Sequence, residues 1–219
     1  MTRPYIAREH EFEPQHGLPE KLPADEHILW QGGPRWQRLA RSAFHADVLA
    51  VYFGAMLAWR FVSVLGEGGS VLDGLRSLIW LAPLFATGLG LVLLLAWLSA
   101  RSTVYTLTER RVVMRIGIVL TITFNLPLKR LEGASLHALG GDVGDIALAL
   151  ERDTRIAWLQ LWPHVRPWGV VRPQPMLRAV PDAERVARRL TQAWTQVNGP
   201  SAPEPSPRGQ PATSRPSHA

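Results

Sequence analysis

A stretch of 22 residues without a charge covers residues 78–99 and reads LIWLAPLFATGLGLVLLLAWLS. As a helix with a rise of about 1.5 Å per residue, it would cross the ~30 Å hydrocarbon core of a bilayer. The alternative is a buried helix of a soluble protein, but such helices are usually shorter and keep a polar stripe. The stretch therefore predicts a transmembrane helix.

A second apolar segment covers residues 48–65 and contains one charged residue, Arg60. An arginine at the centre of a bilayer costs about 2.5–3.5 kcal/mol on insertion scales, but near a helix end its long side chain reaches the headgroups. We interpret Arg60 as such a snorkelling residue rather than as an intramembrane functional group. The glycine-rich residues 66–74 predict a tight connection, so residues 47–100 are expected to form a transmembrane hairpin.

The flanks of this hairpin are basic, whereas the connection carries Glu67 and Asp73. The arginines before and after the hairpin are Arg35, Arg38, Arg41, Arg101, Arg110, Arg111 and Arg115. The positive-inside rule then places both chain ends in the cytoplasm. Residues 1–46 lack the apolar core of a secretory signal, which agrees with a cytoplasmic amino-terminal segment.

Short runs rich in β-branched and aromatic residues follow the hairpin. They predict strands at residues 103–107, 111–116, 118–128, 128–139, 145–151 and 155–161, with a less regular edge strand at 169–177. A helix with Asp182 as its N-cap and apolar residues at helical spacing extends to Val197. The fold class is therefore membrane-anchored α+β: a two-helix hairpin and, over residues 101–197, a small antiparallel β-barrel plugged by an amphipathic helix. Residues 198–219, rich in proline and serine, predict a disordered tail.

The sequence offers no pattern of catalytic or metal-binding chemistry. It has no cysteine, and its seven histidines lack metal-ligand spacing. Residues 140–145, GGDVGD, lack the Lys-Ser/Thr pair of a phosphate loop and the ligand count of a calcium loop, so they are read as a β-turn. We therefore expect a protein without enzymatic activity, cofactor or metal, with an unrecognised membrane enzyme as the alternative.

The net charge of +6 fits either nucleic acid or an anionic lipid surface. The arginines beside the apolar run favour lipid, because each gains about 1 kcal/mol near an anionic leaflet. No nucleic-acid partner is expected. The residues predicted to contact the membrane surface or a partner are Arg101, Arg110, Arg111, Arg115, Trp30 and Trp36. The arginines at 185, 188 and 189 are read as a solvated helix face, with membrane contact as the alternative.

Several motifs resemble a known family. YTLTERR at 105–111 and LPADEHILWQG at 22–32 resemble elements of bacterial pleckstrin-homology-like membrane proteins. Together with EFEPQHGLPEKLP, RSAFHADVLAVYF and FNLPLKRLEGA, they are similar to the photosynthetic-complex assembly proteins of purple bacteria, the PuhB type. The resemblance covers about residues 9–195.

This resemblance implies a non-enzymatic factor that helps assemble the reaction centre with its core light-harvesting antenna (LH1) in the inner, intracytoplasmic photosynthetic membrane. The implied partners are reaction-centre and core antenna subunits or other assembly factors, besides anionic lipids, with self-association into a homo-oligomer left open. A lipid-binding or sensor protein of another role is the alternative. His45, at the membrane interface, is a candidate ligand for a bacteriochlorophyll, against the reading of an ordinary interfacial histidine.

Overall fold

The computed structural model describes residues 17–18, 22–151, 156–167 and 173–199. The helices are α1 (Trp36–Ser42), α2 (Ala46–Gly66), α3 (Val71–Leu78), α4 (Leu81–Ser102), α5 (Trp158–Leu161) and α6 (Ala183–Asn198). The strands are β1 (Ile28–Gly32), β2 (Val104–Thr108), β3 (Arg111–Ile116), β4 (Ile122–Pro127), β5 (Leu131–Gly140), β6 (Val143–Leu150) and β7 (Met176–Val180).

Two long apolar helices dominate the amino-terminal half. The segments Ala46–Gly66 and Val71–Ser102, the second of which joins α3 to α4, are long and apolar enough to cross a membrane by length and composition. They contain the two segments predicted from sequence. The rings of Phe53 and Phe85 stack between α2 and α4 with their centroids 4.6 Å apart. The outward faces of these helices are apolar and exposed, as Val51 and Trp59 illustrate.

The connection between the two helices differs from the predicted loop over residues 66–74. Residues 71–74 form the first turn of α3, and Ser70 caps it. The Ser70 hydroxyl accepts a hydrogen bond from the backbone N–H of Asp73, whose carboxylate accepts one from the backbone N–H of Ser70. The Ser-x-x-Asp spacing is a variant of the capping box, and it was the signal that the loop interpretation missed.

The strands form two antiparallel sheets rather than the closed barrel predicted from sequence. Their orders are β1-β2-β3-β4 and β5-β6-β7. The chain leaves β4 at Pro127, which cannot donate to a ladder, and passes through the 3-10 turn Leu128–Arg130 before β5 begins. In the described residues, no ladder joins the two sheets.

The edge strand β1 comes from before the long helices. It pairs antiparallel with β2, which comes after them, with Gln31 opposite Thr106 and Gly32 opposite Tyr105. This stretch lies in the predicted amino-terminal segment 1–46, which the sequence pattern separates from the domain at 101–197. The four-stranded sheet therefore draws on chain from both sides of the helical hairpin.

Three predicted strands differ from the structure. The predicted strand 118–128 begins only at Ile122, because residues 118–121 form a turn. In the predicted strand 155–161, residues 158–161 form helix α5 and residue 155 lies outside the described part. The edge strand predicted at 169–177 lies partly outside the described residues, and β7 instead starts at Met176, after Pro173 and Pro175. The predicted tail lies outside the described residues from 200 onward.

The main hydrophobic core lies between the two sheets and α6. The amphipathic helix predicted at the end of the domain is confirmed: Val186, Leu190 and Trp194 are buried in this core. The indole N–H of Trp194 donates to the Leu131 carbonyl at 2.9 Å. Asp182 occupies the N-cap position, but its side chain makes no capping hydrogen bond.

Candidate functional site at the junction of α4 and the sheets

The end of α4 passes into β2 through a cluster of buried polar side chains. A single residue, Thr103, separates α4 from β2. The His164 ring lies against this junction: its Nδ1 is 2.6 Å from the Tyr105 hydroxyl, and its Nε2 is 3.1 Å from Thr103 Oγ1. Ser99 Oγ lies 3.4 Å from the same Nε2. All four side chains are buried, so the imidazole connects the helix end to the strand away from solvent.

The hydrogen bonds around His164 form a continuous chain. The backbone N–H of Arg178 donates to the Tyr105 hydroxyl at 3.1 Å, so the hydroxyl proton is free to be donated to Nδ1 of His164. Thr103 Oγ1 donates to the Ser99 carbonyl at 2.7 Å and is left as an acceptor for the Nε2–H of His164. If the imidazole is neutral with its proton on Nε2, both ring nitrogens and the hydroxyls of Tyr105 and Thr103 have hydrogen-bond partners. Burial, and secondarily the charge of Arg178, lowers the pKa of His164 to about 3, which agrees with this neutral form.

Arg178 and Asp145 form the second part of the cluster. The Arg178 guanidinium donates to the carbonyls of Ser42 at 2.9 Å and Val165 at 3.2 Å. The Asp145 carboxylate accepts the backbone N–H of Ala179 at 2.7 Å. Burial raises the pKa of Asp145 and lowers that of Arg178, so both charges are costly here. Arg178 Nε and Ser42 Oγ are buried without a hydrogen-bond partner.

A cavity of about 520 Å³ lies beside this cluster, at the start of α2. Its polar and charged lining consists of Arg41, Ser42, His45, Ser135, His137, Asp145, Arg166 and Arg178. Three guanidinium groups thus face one carboxylate whose pKa is raised. With two lining residues carrying buried polar atoms that lack partners, this arrangement suits an anionic group such as a phosphate or a carboxylate.

The pigment candidate His45 lies on the wall of this cavity. It occupies the N-cap position of α2 in the left-handed conformation, with φ of 53°. Among the residues that the structure describes, no group of three or more His, Cys, Asp or Glu side chains could hold a metal ion. A role for His45 as a pigment ligand stays a prediction.

The structure separates the predicted contact arginines into two pairs. Arg101 lies in the last turn of α4, with its guanidinium carbon 5.5 Å from the centroid of the Trp97 ring. Arg115 pairs with Val104, beside the end of α4. Arg110 and Arg111 lie beyond the other end of β2, about 13 Å away at ~3.3 Å per strand residue.

Arg110 and Arg111, the two arginines farther from α4, each form an ion pair with an acidic residue of the chain. Arg110 bonds Asp25 at 2.5 Å on the exposed surface, and Arg111 bonds the buried Glu26 at 2.6 Å. The Thr108 hydroxyl also donates to Glu26, at 2.6 Å. The Arg111 hydrogen bond is the main reason that the pKa of Glu26 is lowered.

A comparison with known proteins assigns the family. The family model described as "Bacterial PH domain" matches residues 48–194, about two thirds of the chain. The chain belongs to the bacterial PH domain family. A relative from Rhodobacter capsulatus, named "Uncharacterized 23.7 kDa protein in puhA 5'region", is 41% identical over 184 residues, which cover 84% of this chain and 86% of the relative. No solved structure matches significantly.

The two tryptophans of the predicted contact set occupy different places in this bacterial PH domain protein. Trp30, in β1, is half-buried and packs against the main core. Trp36 is the first residue of α1 and is 38% exposed. Just before it, the Arg35 guanidinium binds both carboxylate oxygens of Asp142 at 2.8 Å. Trp36 is therefore accessible to a partner, whereas Trp30 contributes mainly to the fold.

Sequence reasoning missed the residues at the centre of the junction of this bacterial PH domain protein. Tyr105 was recognised only as a strand residue, and His164 and Arg178 lie 59 and 73 residues from it. The available signal was local: Ser99 and Thr103 stand four residues apart at the end of a long apolar helix, so they share one helix face. Two hydroxyl residues on one face predict a polar contact but cannot name its partner.

Proposed function

We propose that this protein is a non-enzymatic assembly factor for the photosynthetic reaction centre and its core light-harvesting antenna, acting through contacts with membrane proteins. The match to the Rhodobacter capsulatus relative carries this proposal, because the printed name of that relative places its gene 5' of puhA. The match spans most of both chains, so it includes the long helices and the sheets together. The motifs shared with photosynthetic-complex assembly proteins support the same role.

The proposed location is the inner, intracytoplasmic photosynthetic membrane, crossed by α2 and α4 as a hairpin. The pairing of β1 with β2 supports this arrangement. The first strand precedes α2 and the second follows α4, so both ends of the hairpin lie on one side of the bilayer. The basic residues on that side, Arg41 and Arg101 among them, support a cytoplasmic position for both chain ends.

The hydrogen bonds of the junction fix the long helices relative to the sheets. His164 ties the end of α4 to Tyr105 in β2, and Arg178 ties β7 to the Ser42 carbonyl at the end of α1. A partner helix bound against the exposed apolar faces of α2 and α4 is then held at a fixed position relative to the sheets. Such a rigid connection suits a protein that brings membrane subunits together and presents them outside the membrane in one orientation.

The test is deletion of the gene followed by absorbance spectroscopy of the membranes. We expect the reaction-centre and core antenna bands to fall, and the wild-type gene to restore them. Complementation with Arg188→Ala, a change on the exposed face of α6, serves as the matched control and is also expected to restore them. Normal bands in the deletion strain would overturn the proposal.

A second candidate function is that of a membrane-anchored protein that binds anionic lipid. The observation that favours it is the arginine-lined cavity at the start of α2, with buried Arg178 Nε lacking a partner. A ligand that binds only the folded state raises the melting temperature. We therefore expect phosphatidylglycerol nanodiscs to stabilise the full chain more than phosphatidylcholine nanodiscs.

Two controls test the source of the stabilisation. One distinguishes binding of a lipid from binding of a free anion, and the other distinguishes binding in the cavity from attraction to the general surface charge. Inorganic phosphate added in detergent tests whether an anion alone suffices. Arg166→Gln should remove the preference for phosphatidylglycerol, and Arg185→Gln, on α6, should retain it. Equal melting temperatures in the two lipids would exclude this candidate.

A further inference from the structure

The turn between β3 and β4 exposes three consecutive large apolar side chains. Ile118, Val119 and Leu120 are 43%, 89% and 81% exposed. They follow Gly117, whose φ of +126° allows the sharp turn. A run of exposed aliphatic residues at the tip of a hairpin has no role in the packing of the sheet and marks an interaction surface.

The register of the sheet places this tip at the membrane end of the four-stranded sheet. β2 leads away from α4, and antiparallel β3 returns toward it, with Arg115 opposite Val104. The chain then continues past that level through Ile116, which pairs with Ile122 of β4. β3 also contacts α4 directly. The tip at residues 118–120 therefore extends beyond the point where the chain leaves α4, on the side of the long helices.

A second set of contacts places the same region beside the start of α2. Ile116 packs with Leu161 of α5 in one hydrophobic cluster. The same short helix leaves Leu159 77% exposed, and Trp162 follows it. The Trp162 ring contacts the Phe44 ring edge-on at 5.3 Å, two residues before α2 begins. The hairpin tip and α5 thus form an apolar surface that adjoins the exposed apolar surfaces of α2 and α4.

We propose that residues 118–120 insert into the interfacial region of the same lipid leaflet from which α2 and α4 emerge. This inference rests on the membrane location proposed above. Apolar side chains on interfacial elements are buried about 5–10 Å into the boundary between headgroups and acyl chains. Trp162 and the Arg101–Trp97 pair supply the aromatic and cationic groups typical of headgroup depth.

The insertion adds a third point of attachment to the bilayer. Two spanning helices alone leave the rigid unit of helices and sheets free to tilt as a whole relative to the bilayer. A tip anchored in the lipid, carried on β3 and β4, removes that freedom and sets which face of the sheets is presented to the membrane subunits.

The test uses the absence of cysteine from the chain, which allows a single label to be placed at will. Val119→Cys, Glu109→Cys and Leu91→Cys are each labelled with the environment-sensitive fluorophore NBD in the full-length protein and reconstituted into lipid nanodiscs. Glu109 lies in the turn at the opposite end of β2 and β3, and Leu91 lies exposed within α4. We expect blue-shifted emission and quenching by nitroxide-labelled lipids at positions 91 and 119, and quenching by aqueous iodide at position 109.

The outcomes separate this inference from the proposals on which it rests. Lipid quenching at position 91 with iodide quenching at position 119 would overturn the insertion and leave the spanning helices intact. Iodide quenching at position 91 would overturn the membrane location, and the insertion with it. A blue shift at position 119 without lipid quenching would show that a protein surface covers the tip and would also overturn the insertion.

A charged substitution at the tip completes the test. In detergent, Val119→Asp should leave the melting temperature unchanged, because no protein group packs on this almost fully exposed side chain. It should reduce lipid quenching of a label at Leu120→Cys in the same chain. These measurements do not depend on the photosynthetic bands, so the insertion stands or falls separately from the assembly role.

Discussion

The hydroxyl oxygen of Tyr105 lies 2.6 Å from Nδ1 of His164 and 3.1 Å from the backbone nitrogen of Arg178. Tyr105 belongs to the four-stranded sheet and Arg178 to the three-stranded sheet. One buried oxygen therefore bridges the two sheets and the loop that carries His164. Because water cannot replace these bonds inside the core, their loss is expected to be costly.

Replacing Tyr105 by phenylalanine keeps the ring and removes this bridge. The backbone N–H of Arg178 and Nδ1 of His164 are then left without a partner. We expect the free energy of unfolding to fall by about 1–3 kcal/mol, the cost of leaving a buried polar group unsatisfied. Denaturant titration of the detergent-solubilised protein measures this loss. Tyr52→Phe, on the exposed face of α2, is the control and should have no effect; equal losses in the two variants would contradict the bridge.

The neutral state of His164 predicts a loss of stability in acid. Its pKa is about 3 in the folded protein against 6.5 for an unperturbed histidine, so below pH 6.5 the unfolded chain binds a proton that the folded chain does not. The free energy of unfolding should therefore fall by about 1.4 kcal/mol per pH unit from this group well below pH 6.5. Asp145, whose pKa is raised, acts in the opposite direction, because its folded form binds the proton more readily.

The measurement is the melting temperature as a function of pH. His164→Gln should flatten the profile between pH 6.5 and about 5, the range above most unfolded-state carboxyl pKa values. An unchanged slope in His164→Gln would show that another group causes the acid sensitivity.

The two neighbouring arginines of the β2–β3 turn should differ strongly in their effect. Arg111→Met leaves the buried Glu26 carboxylate without its ion-pair partner, which should cost about 3 kcal/mol, the lower end of the range for such a loss because Arg111 itself is partly exposed. Arg110→Met breaks only an exposed pair with Asp25 and should cause little change. Denaturant titration of both variants decides between these expectations.

A second substitution, at Glu26, tests whether the unpaired carboxylate causes the loss of stability in Arg111→Met. Adding Glu26→Gln to Arg111→Met removes the unpaired charge, so part of the lost stability should return. The lowered pKa of Glu26 also means that its contribution is present above pH 4.5 and is lost as the pH falls below that value. The Arg111→Met variant should therefore show less acid destabilisation in that range than the wild type.

Arg178 is expected to be essential for the junction. Arg178→Met leaves the buried carbonyl of Val165 and the part-buried carbonyl of Ser42 without their donors, and the loss at the buried acceptor alone should cost about 1–3 kcal/mol. Arg188→Met, which breaks only an exposed pair with Glu184 one helical turn away, should change the stability by no more than about 0.5 kcal/mol. Similar melting temperatures in the two variants would show that the guanidinium is not needed to hold α1 against β7.

The elements that sequence predicted well are those whose signals are local. The apolar run of 78–99 and the amphipathic spacing of α6 each determine a helix without distant contacts. The alternation in RIAWLQLW predicted a strand, yet Trp158 and Leu161 also stand three residues apart. The helix forms where Leu161 packs on Ile116 and Val165, a long-range contact that no local pattern contains. The junction was missed for the same reason, since Tyr105 meets His164 and Arg178 only in the folded chain.

The pairing of β1 with β2 has a consequence for biosynthesis. Gln31 leaves the ribosome 75 residues before Thr106, with which its side chain bonds at 2.9 Å, and both long helices are made in the interval. The edge of the amino-terminal strand that pairs with β2 therefore stays unpaired until translation has passed the second helix. In the proposed membrane location, the sheet can be completed only after both helices have been synthesised and both ends of the hairpin lie on the same side of the bilayer. Under the same proposal, a chain whose second helix failed to insert would keep an unpaired strand edge that chaperones and proteases can recognise.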